Sequence, residues 1–329
     1  MKKFYLMLAV VLLSLLSANA QINQVVWVNG RAVMGQAISQ VDSIKYGTME
    51  EADRLYLTLP RKVVIHDTII KTTVVRDTIH IPADAIAGVF SVAADKKVCF
   101  AKGNLQYTQS TKTWSFAEHQ YDTIGEANVS GSALADKIDW FGWSGSTGSA
   151  KWGISTSTNN SDYSGDFVDW GTNIINGNVA NVWRTLSSDE WLYLFRHTRW
   201  TMAKVNGTLG IMLLPADFVA PAELAISILD KNLDGIIFTD ISESDYSSNV
   251  YTISQFSQLE SAGVVFLPSA GFRYGLNRNN IGTIGCYWSA TLSNATRATG
   301  TQFQTNMTYV NMGCNRARGL SVRLVANVE

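Results

Sequence analysis

Only two segments of this 329-residue chain carry the sequence marks of a helix, and that narrows the architectures open to it. The first starts at Ser187, where Ser187 and Glu190 have the spacing of a capping box. Trp191, Leu194, Phe195 and Thr198 follow at i, i+3, i+4 and i+7, which predicts one apolar face. The second starts at Thr252, paired with Gln255. Phe256 and Leu259 face inward there, and Gly263 stands where a helix-ending glycine belongs. Apolar or alternating runs predict strands over 98–107, 114–117, 285–290, 300–304 and 320–325. Two more strands share an ending, Gly-Ile-Met-Leu-Leu-Pro over 210–215 and Gly-Val-Val-Phe-Leu-Pro over 263–268. Residues 139–181 are rich in Gly, Ser, Asn and Trp without periodicity, which predicts long loops. Strands interrupted by two helices and long loops predict an α+β domain over residues 88–329, not a doubly wound parallel sheet.

Three shorter regions precede that domain. Lys2 and Lys3, an apolar run over 6–16 and the Ala18-Asn19-Ala20 ending predict a secretory signal peptide over 1–20, cleaved after Ala20. The run is shorter than the ~20 apolar residues of a spanning helix, and no later stretch is long and apolar enough to span. Residues 21–59 contain two alternating apolar runs around Asn29-Gly30 and predict a small β-hairpin module. Its Val41-Asp42-Ser43-Ile44-Lys45-Tyr46 resembles the N-terminal segments of exported surface proteins from gut-type bacteria. Residues 60–87 repeat a His/Arg-Asp-Thr-Ile unit at a ten-residue period, in Ile65-His66-Asp67-Thr68-Ile69 and Val75-Arg76-Asp77-Thr78-Ile79. Its β-branched residues favour an extended backbone, so it reads as a stalk or an exposed pairing strand.

Charge and reactive side chains exclude several functions. A formal net charge of −1 gives no general field for nucleic acid or membrane. The histidines at 66, 80, 119 and 197 lack metal-ligand spacing, and three cysteines (99, 286, 314) do not form an even disulfide framework. From 264 to 328 there are six arginines (273, 278, 297, 316, 318, 323) but no lysine, aspartate or glutamate. They suit a local anion-attracting face or scattered surface positions. Asp230, Asn232, Asp234 and Gly235, with Asp240 nearby, fit the start of an oxygen-ligand calcium loop. Position twelve is Ile241 rather than the bidentate glutamate of an EF-hand, so an ordinary Asp-Gly turn competes with that reading.

Six phrases in order carry a family resemblance: Gly88-Val-Phe-Ser-Val, Phe100-Ala-Lys-Gly-Asn-Leu-Gln-Tyr, Trp183-Arg-Thr-Leu-Ser-Ser-Asp-Glu-Trp, Phe266-Leu-Pro-Ser-Ala-Gly-Phe, Tyr287-Trp-Ser-Ala and Ser321-Val-Arg-Leu-Val. Over residues 88–325 the chain resembles the Fibrobacter succinogenes major paralogous domain family, which is similar to C-type lectin-like domains and to the formylglycine-generating-enzyme fold. The resemblance implies that Trp183, Trp191, Tyr287 and Trp288 pack the core and that C-terminal loops present a ligand surface. It also implies that asparagine-dense ends are variable regions diversified by retroelements.

The residues supply a candidate surface of that kind. Asn277, Arg278, Asn279, Asn280, Asn294, Arg297, Thr299, Gln304, Asn306, Thr308, Tyr309, Asn311, Cys314, Asn315, Arg316 and Arg318 are hydrogen-bond-rich and interleaved with framework residues. Such a mix suits a paratope more than a catalytic centre, and an ordinary polar loop region is the plainer alternative. Formylglycine-type cysteine oxidation needs two adjacent reactive thiols, and Cys286 and Cys314 are distant in sequence. G-x-S-x-G, H-E-x-x-H and phosphate-loop motifs are missing. The expectation is a secreted or surface-displayed, non-enzymatic receptor for an extracellular protein or glycan, needing no cofactor unless calcium. A surface-fibre subunit assembling through residues 63–81 is the alternative.

Overall fold

A computed structural model describes residues 23–28, 31–37, 81–228, 237–238, 247–304 and 307–328. The chain divides into two compact units, Met1–Val75 and Arg76–Glu329. In the first, β1 (Asn23–Val28) and β2 (Arg31–Ala37) pair antiparallel from Val28↔Arg31 to Asn23↔Ala37, with a register shift at Val26/Trp27. The signal peptide, the repeat over 63–80 and all four candidate calcium ligands (Asp230, Asn232, Asp234, Asp240) lie outside the described residues, as does Asn306.

The second unit is built of small sheets. Its strands begin with β3 (Ala85–Ser91), β4 (Lys97–Ala101), β5 (Leu105–Thr108) and β6 (Thr113–Phe116). The two-residue strands β7 (Val129–Ser130), β8 (Ala133–Leu134) and β9 (Lys137–Ile138) follow. After helix α1 (Ser188–His197) come β10 (Arg199–Val205), β11 (Thr208–Leu214), β12 (Ile237–Phe238) and β13 (Val250–Tyr251). Helix α2 (Ile253–Ser261) leads to β14 (Val265–Pro268), β15 (Phe272–Tyr274) and β16 (Asn277–Asn279). Three long strands, β17 (Ile284–Asn294), β18 (Arg297–Gln304) and β19 (Met307–Asn315), precede β20 (Arg318–Gly319) and β21 (Val325–Val328). The main sheets have the orders β13-β10-β11-β14, β12-β19-β18-β17, β16-β15-β20 and β21-β4-β3. Apart from the β10–β13 pair, which is parallel, the strands of these four sheets pair antiparallel.

The α+β, C-type lectin-like expectation is corrected by this architecture. Strands dominate, the sheets are several and small, and α1 and α2 have only 10 and 9 residues. The segment 273–318, read as loops around strands at 285–290 and 300–304, is instead mostly strand. Its Asn, Gly and Thr have weak or mixed intrinsic β preference, and pairing with buried neighbours decides the outcome.

The local helix signals hold. Ser187 Oγ accepts from the Glu190 N–H, and Glu190 Oε2 accepts from the Ser187 N–H at 2.9 Å. Thr252 and Gln255 make the same reciprocal pair. Trp191, Leu194 and Phe195 are buried, whereas Thr198 caps the end of α1 in an extended conformation. Gly263 follows α2 at φ +86°, and a Cβ there would meet Gly88 Cα at 2.7 Å, so two bare backbones touch.

Three large clusters and a small one of Ala150, Tyr163 and Ala317 fill the interior. Trp191, Leu194, Phe195, Phe100, Tyr287 and Phe303 form one, and Phe256, Leu259 and Phe266 belong to another. The third is walled by Trp143, Trp170, Trp183 and Trp288 and lies on the same strands as the candidate site. Polar groups are buried with it. Arg323 is 1% exposed and donates to Gln120 Oε1 at 2.7 Å; burial pulls its pKa down to about 10. Gln120 also accepts from the Phe266 N–H and donates to Glu260 Oε1, so one amide links a buried cation to an acid near the surface. Asp139 is fully buried and accepts from the Ile124 N–H and Asn128 Nδ2. Desolvation raises its pKa to about 6.

Candidate functional site

The site begins with a short hairpin. β15 and β16 pair as Phe272↔Asn279, Arg273↔Arg278 and Tyr274↔Asn277. Because strand side chains alternate, this register divides the hairpin into two faces. Phe272, Tyr274, Asn277 and Asn279 share one of them. The pairing of β15 with β20 continues the rule, setting Arg318 opposite Tyr274 and Gly319 opposite Arg273. Across from the hairpin, β18 and β19 pair as Arg297↔Asn315 and Thr299↔Gly313.

These elements enclose an open groove of about 560 Å³ lined by Phe272, Tyr274, Asn277, Asn279, Arg297, Gly313, Asn315 and Arg318. The Arg318 guanidinium lies over the Phe272 ring at 5.1 Å, and Arg297 Nη1 donates to Gly313 O at 3.4 Å. The Tyr274 hydroxyl donates to Thr158 O at 3.4 Å, holding the ring at the rim. Among the described residues no carboxylate lines the groove.

The six C-terminal arginines therefore have three fates. Arg273, Arg316 and Arg323 are buried. Arg316 donates to Tyr163 O and Asn294 O and stacks over Trp143 at 4.9 Å. Arg273 donates to Gly153 O at 3.4 Å, and Gly319 leaves room for it, since a Cβ there would stand 2.5 Å from Arg273 Cγ. Arg278 sits on the far face of the hairpin and pairs with Glu126 at 2.7 Å. Only Arg297 and Arg318 line the groove.

Of the candidate surface residues, Asn277, Asn279, Arg297, Asn315 and Arg318 come together here. Others shape the walls. The Asn294 side chain accepts from the Thr296 and Arg297 N–H groups, and Asn280 holds a turn at φ +55°. Thr299 donates to Thr291 O. Asn311 adopts φ +65° where β19 bulges against β18, a conformation asparagine tolerates better than most residues. Thr308 and Cys314 are corrected from surface to framework because their faces of β19 point into the core, and Arg316 because the turn after β19 buries it against Trp143. Tyr309 and Gln304 belong to the opposite end of the sheet, where Tyr309 pairs with Gln302 and Ile237, and Gln304 with Met307. Seven residues separate Arg297 from Gln304, roughly 23 Å along an extended strand, so one small ligand cannot touch both.

Phe272, Tyr274 and Gly313 were missed. The Phe-Arg-Tyr triplet of alternating character was the available signal, and it reads as a strand only once its pairing partner is known. Cys286 and Cys314 are free and buried. Desolvation pushes the Cys314 thiol up to about 12 and raises Cys286 further from its reactive range. Among the described residues no group of three or more His, Cys, Asp or Glu could hold a metal, and no helix is long and apolar enough to cross a membrane.

Residues 228–325 match a family model described as a domain of unknown function (DUF8237), a span that contains every residue lining the groove. Comparison with curated proteins and with solved structures returned no match.

Proposed function

We propose that this protein is an exported, non-enzymatic ligand-binding protein that grips its partner in the groove between the β15–β16 hairpin and the β18–β19 ends. The observation that carries the reading is the convergence of Asn277, Asn279, Arg297, Asn315 and Arg318, drawn from four strands, on one concave surface. Their amides and guanidinia offer directional hydrogen bonds, while Phe272 and Tyr274 add ring surface, a composition that suits recognition. Chemistry on a cysteine finds little support, since both nearby thiols are buried and held in the protonated form. Export rests on Lys2, Lys3, the apolar run and Ala18-Asn19-Ala20. Retroelement-driven diversification fits the groove asparagines, and the buried Thr308, Cys314 and Arg316 fall outside the positions such variation could use.

The test uses purified full-length chain on immobilised panels of glycans and extracellular proteins. Selective binding that falls at least about tenfold in an Asn277→Ala/Asn315→Ala double variant supports the groove, each lost polar contact in a site contributing about that order. Binding left intact in that variant places recognition elsewhere and ends the proposal.

A further inference from the structure

We infer that the groove is selective for an acidic glycan, its two arginines taking a sugar carboxylate; this rests on the reading of the groove as a binding site. Charge is the first ground. Arg297, on β18, and Arg318, on β20, line one concavity, and among the described residues neither forms an ion pair. Their intramolecular partners are weak: a carbonyl at 3.4 Å and the face of an aromatic ring at 5.1 Å. No acidic residue occurs anywhere from 264 to 328, so nothing on the neighbouring strands competes for them. Arg278, which does have an acid, points to the other face. A carboxylate is the group whose planar pair of oxygens fits guanidinium donors.

The remaining lining argues for sugar over peptide. Asn277 and Asn279 are two residues apart on one strand face and both line the groove, offering amides to sugar hydroxyls. The Asn279 amide donates to Asn277 O at 3.2 Å, which fixes its orientation. Tyr274 is 37% exposed with its hydroxyl tied back to Thr158, leaving a ring face on which a sugar can stack. A peptide bound by strand addition needs a long free edge. The edges of this sheet are β16 and β20, with three and two residues. On this sheet recognition therefore runs through side chains.

Calorimetry on the full chain separates the possibilities, with tri-galacturonate, its methyl ester, neutral galactotriose and a hexaglutamate peptide as probes. The expected result is binding to tri-galacturonate that weakens with salt and exceeds the ester and the neutral sugar by about tenfold or more. Arg297→Gln and Arg318→Gln should each reduce it by about tenfold, while Arg278→Gln, on the other face, leaves it unchanged. Melting curves of the three variants check that folding is intact. Equal binding of acidic and neutral sugars, lost in the Asn277→Ala/Asn315→Ala variant, overturns the acidic selectivity but keeps the groove as a receptor. Preference for hexaglutamate overturns the glycan class. Failure of all four probes overturns the inference, and the panel experiment with the double asparagine variant then judges the receptor reading separately.

Discussion

The groove and the layer beneath it are made from the same strands and the same kinds of residue, yet they obey opposite rules. In the groove, Arg297 and Arg318 face solvent and have only weak partners. Beneath it, Arg316 in the turn after β19 is 3% exposed, donates to two carbonyls and covers Trp143, and the side chains of Cys314 and Trp288 are buried together. The groove spends little stability and leaves hydrogen-bonding capacity unused. The layer below is buried, and its arginine and indole N–H groups bond mainly to backbone carbonyls. The difference shows that composition alone does not mark a binding surface here; the parity of each residue along its strand does.

The sharpest way to break this contrast is to remove a wall of the interior. Trp288 is 1% exposed, and its indole N–H donates to Phe141 O at 2.7 Å. Trp288→Ala should cost about 3–5 kcal/mol in urea unfolding, from lost burial, a cavity and a lost hydrogen bond, the Phe141 carbonyl keeping its bond from the Leu320 N–H. A cost below about 1 kcal/mol would mean that the tryptophan layer does not support the groove.

Asp139 gives the next largest effect and a pH signature. Its folded pKa, raised to about 6 by desolvation, lies above the ordinary aspartate value of 3.8. The native state therefore holds the proton more tightly than the unfolded chain, and this group's contribution falls as pH rises from about 4 to about 6. By about pH 7 the ionised carboxylate costs on the order of 3 kcal/mol relative to pH 4 or below. Asp139→Asn lacks that titration, so the stability of the variant relative to wild type should improve by a similar amount between pH 4 and 7. A constant difference across that range would place the carboxylate in a more solvated setting.

The smallest effect is expected in the groove itself. Arg297→Gln and Arg318→Gln should shift unfolding free energy by no more than about 0.5 kcal/mol, because neither side chain closes the core. A loss above about 1.5 kcal/mol in either would make that arginine a structural strut and erase the distinction between the two regions.

Much of the local structure was legible because its causes are local. The capping pairs Ser187/Glu190 and Thr252/Gln255 fixed both helix starts, and the two matching strands that end at Pro215 and Pro268 proved to be neighbours, with Gly210 opposite Pro268. The strand expected over 98–107 was too generous, since the backbone leaves the sheet between β4 and β5. The α+β class was misjudged for the same kind of reason. Residues 273–279 and 307–315 look like polar loops until β15, β16 and β19 find their partners. Among the candidate site residues, Thr308 and Cys314 could not be told from Asn277 and Asn315 by type, because which face is buried depends on register.

The sequence by itself determined where helices begin, that the C-terminal segment is cationic without acids, and that its polar residues are dense enough to form a surface. Only the tertiary structure decided that of six arginines three are buried, one is paired and two face a groove. Helix caps and local charge act over a few residues, whereas a strand's inside and outside are set by partners far away in the chain, and one residue of register exchanges them.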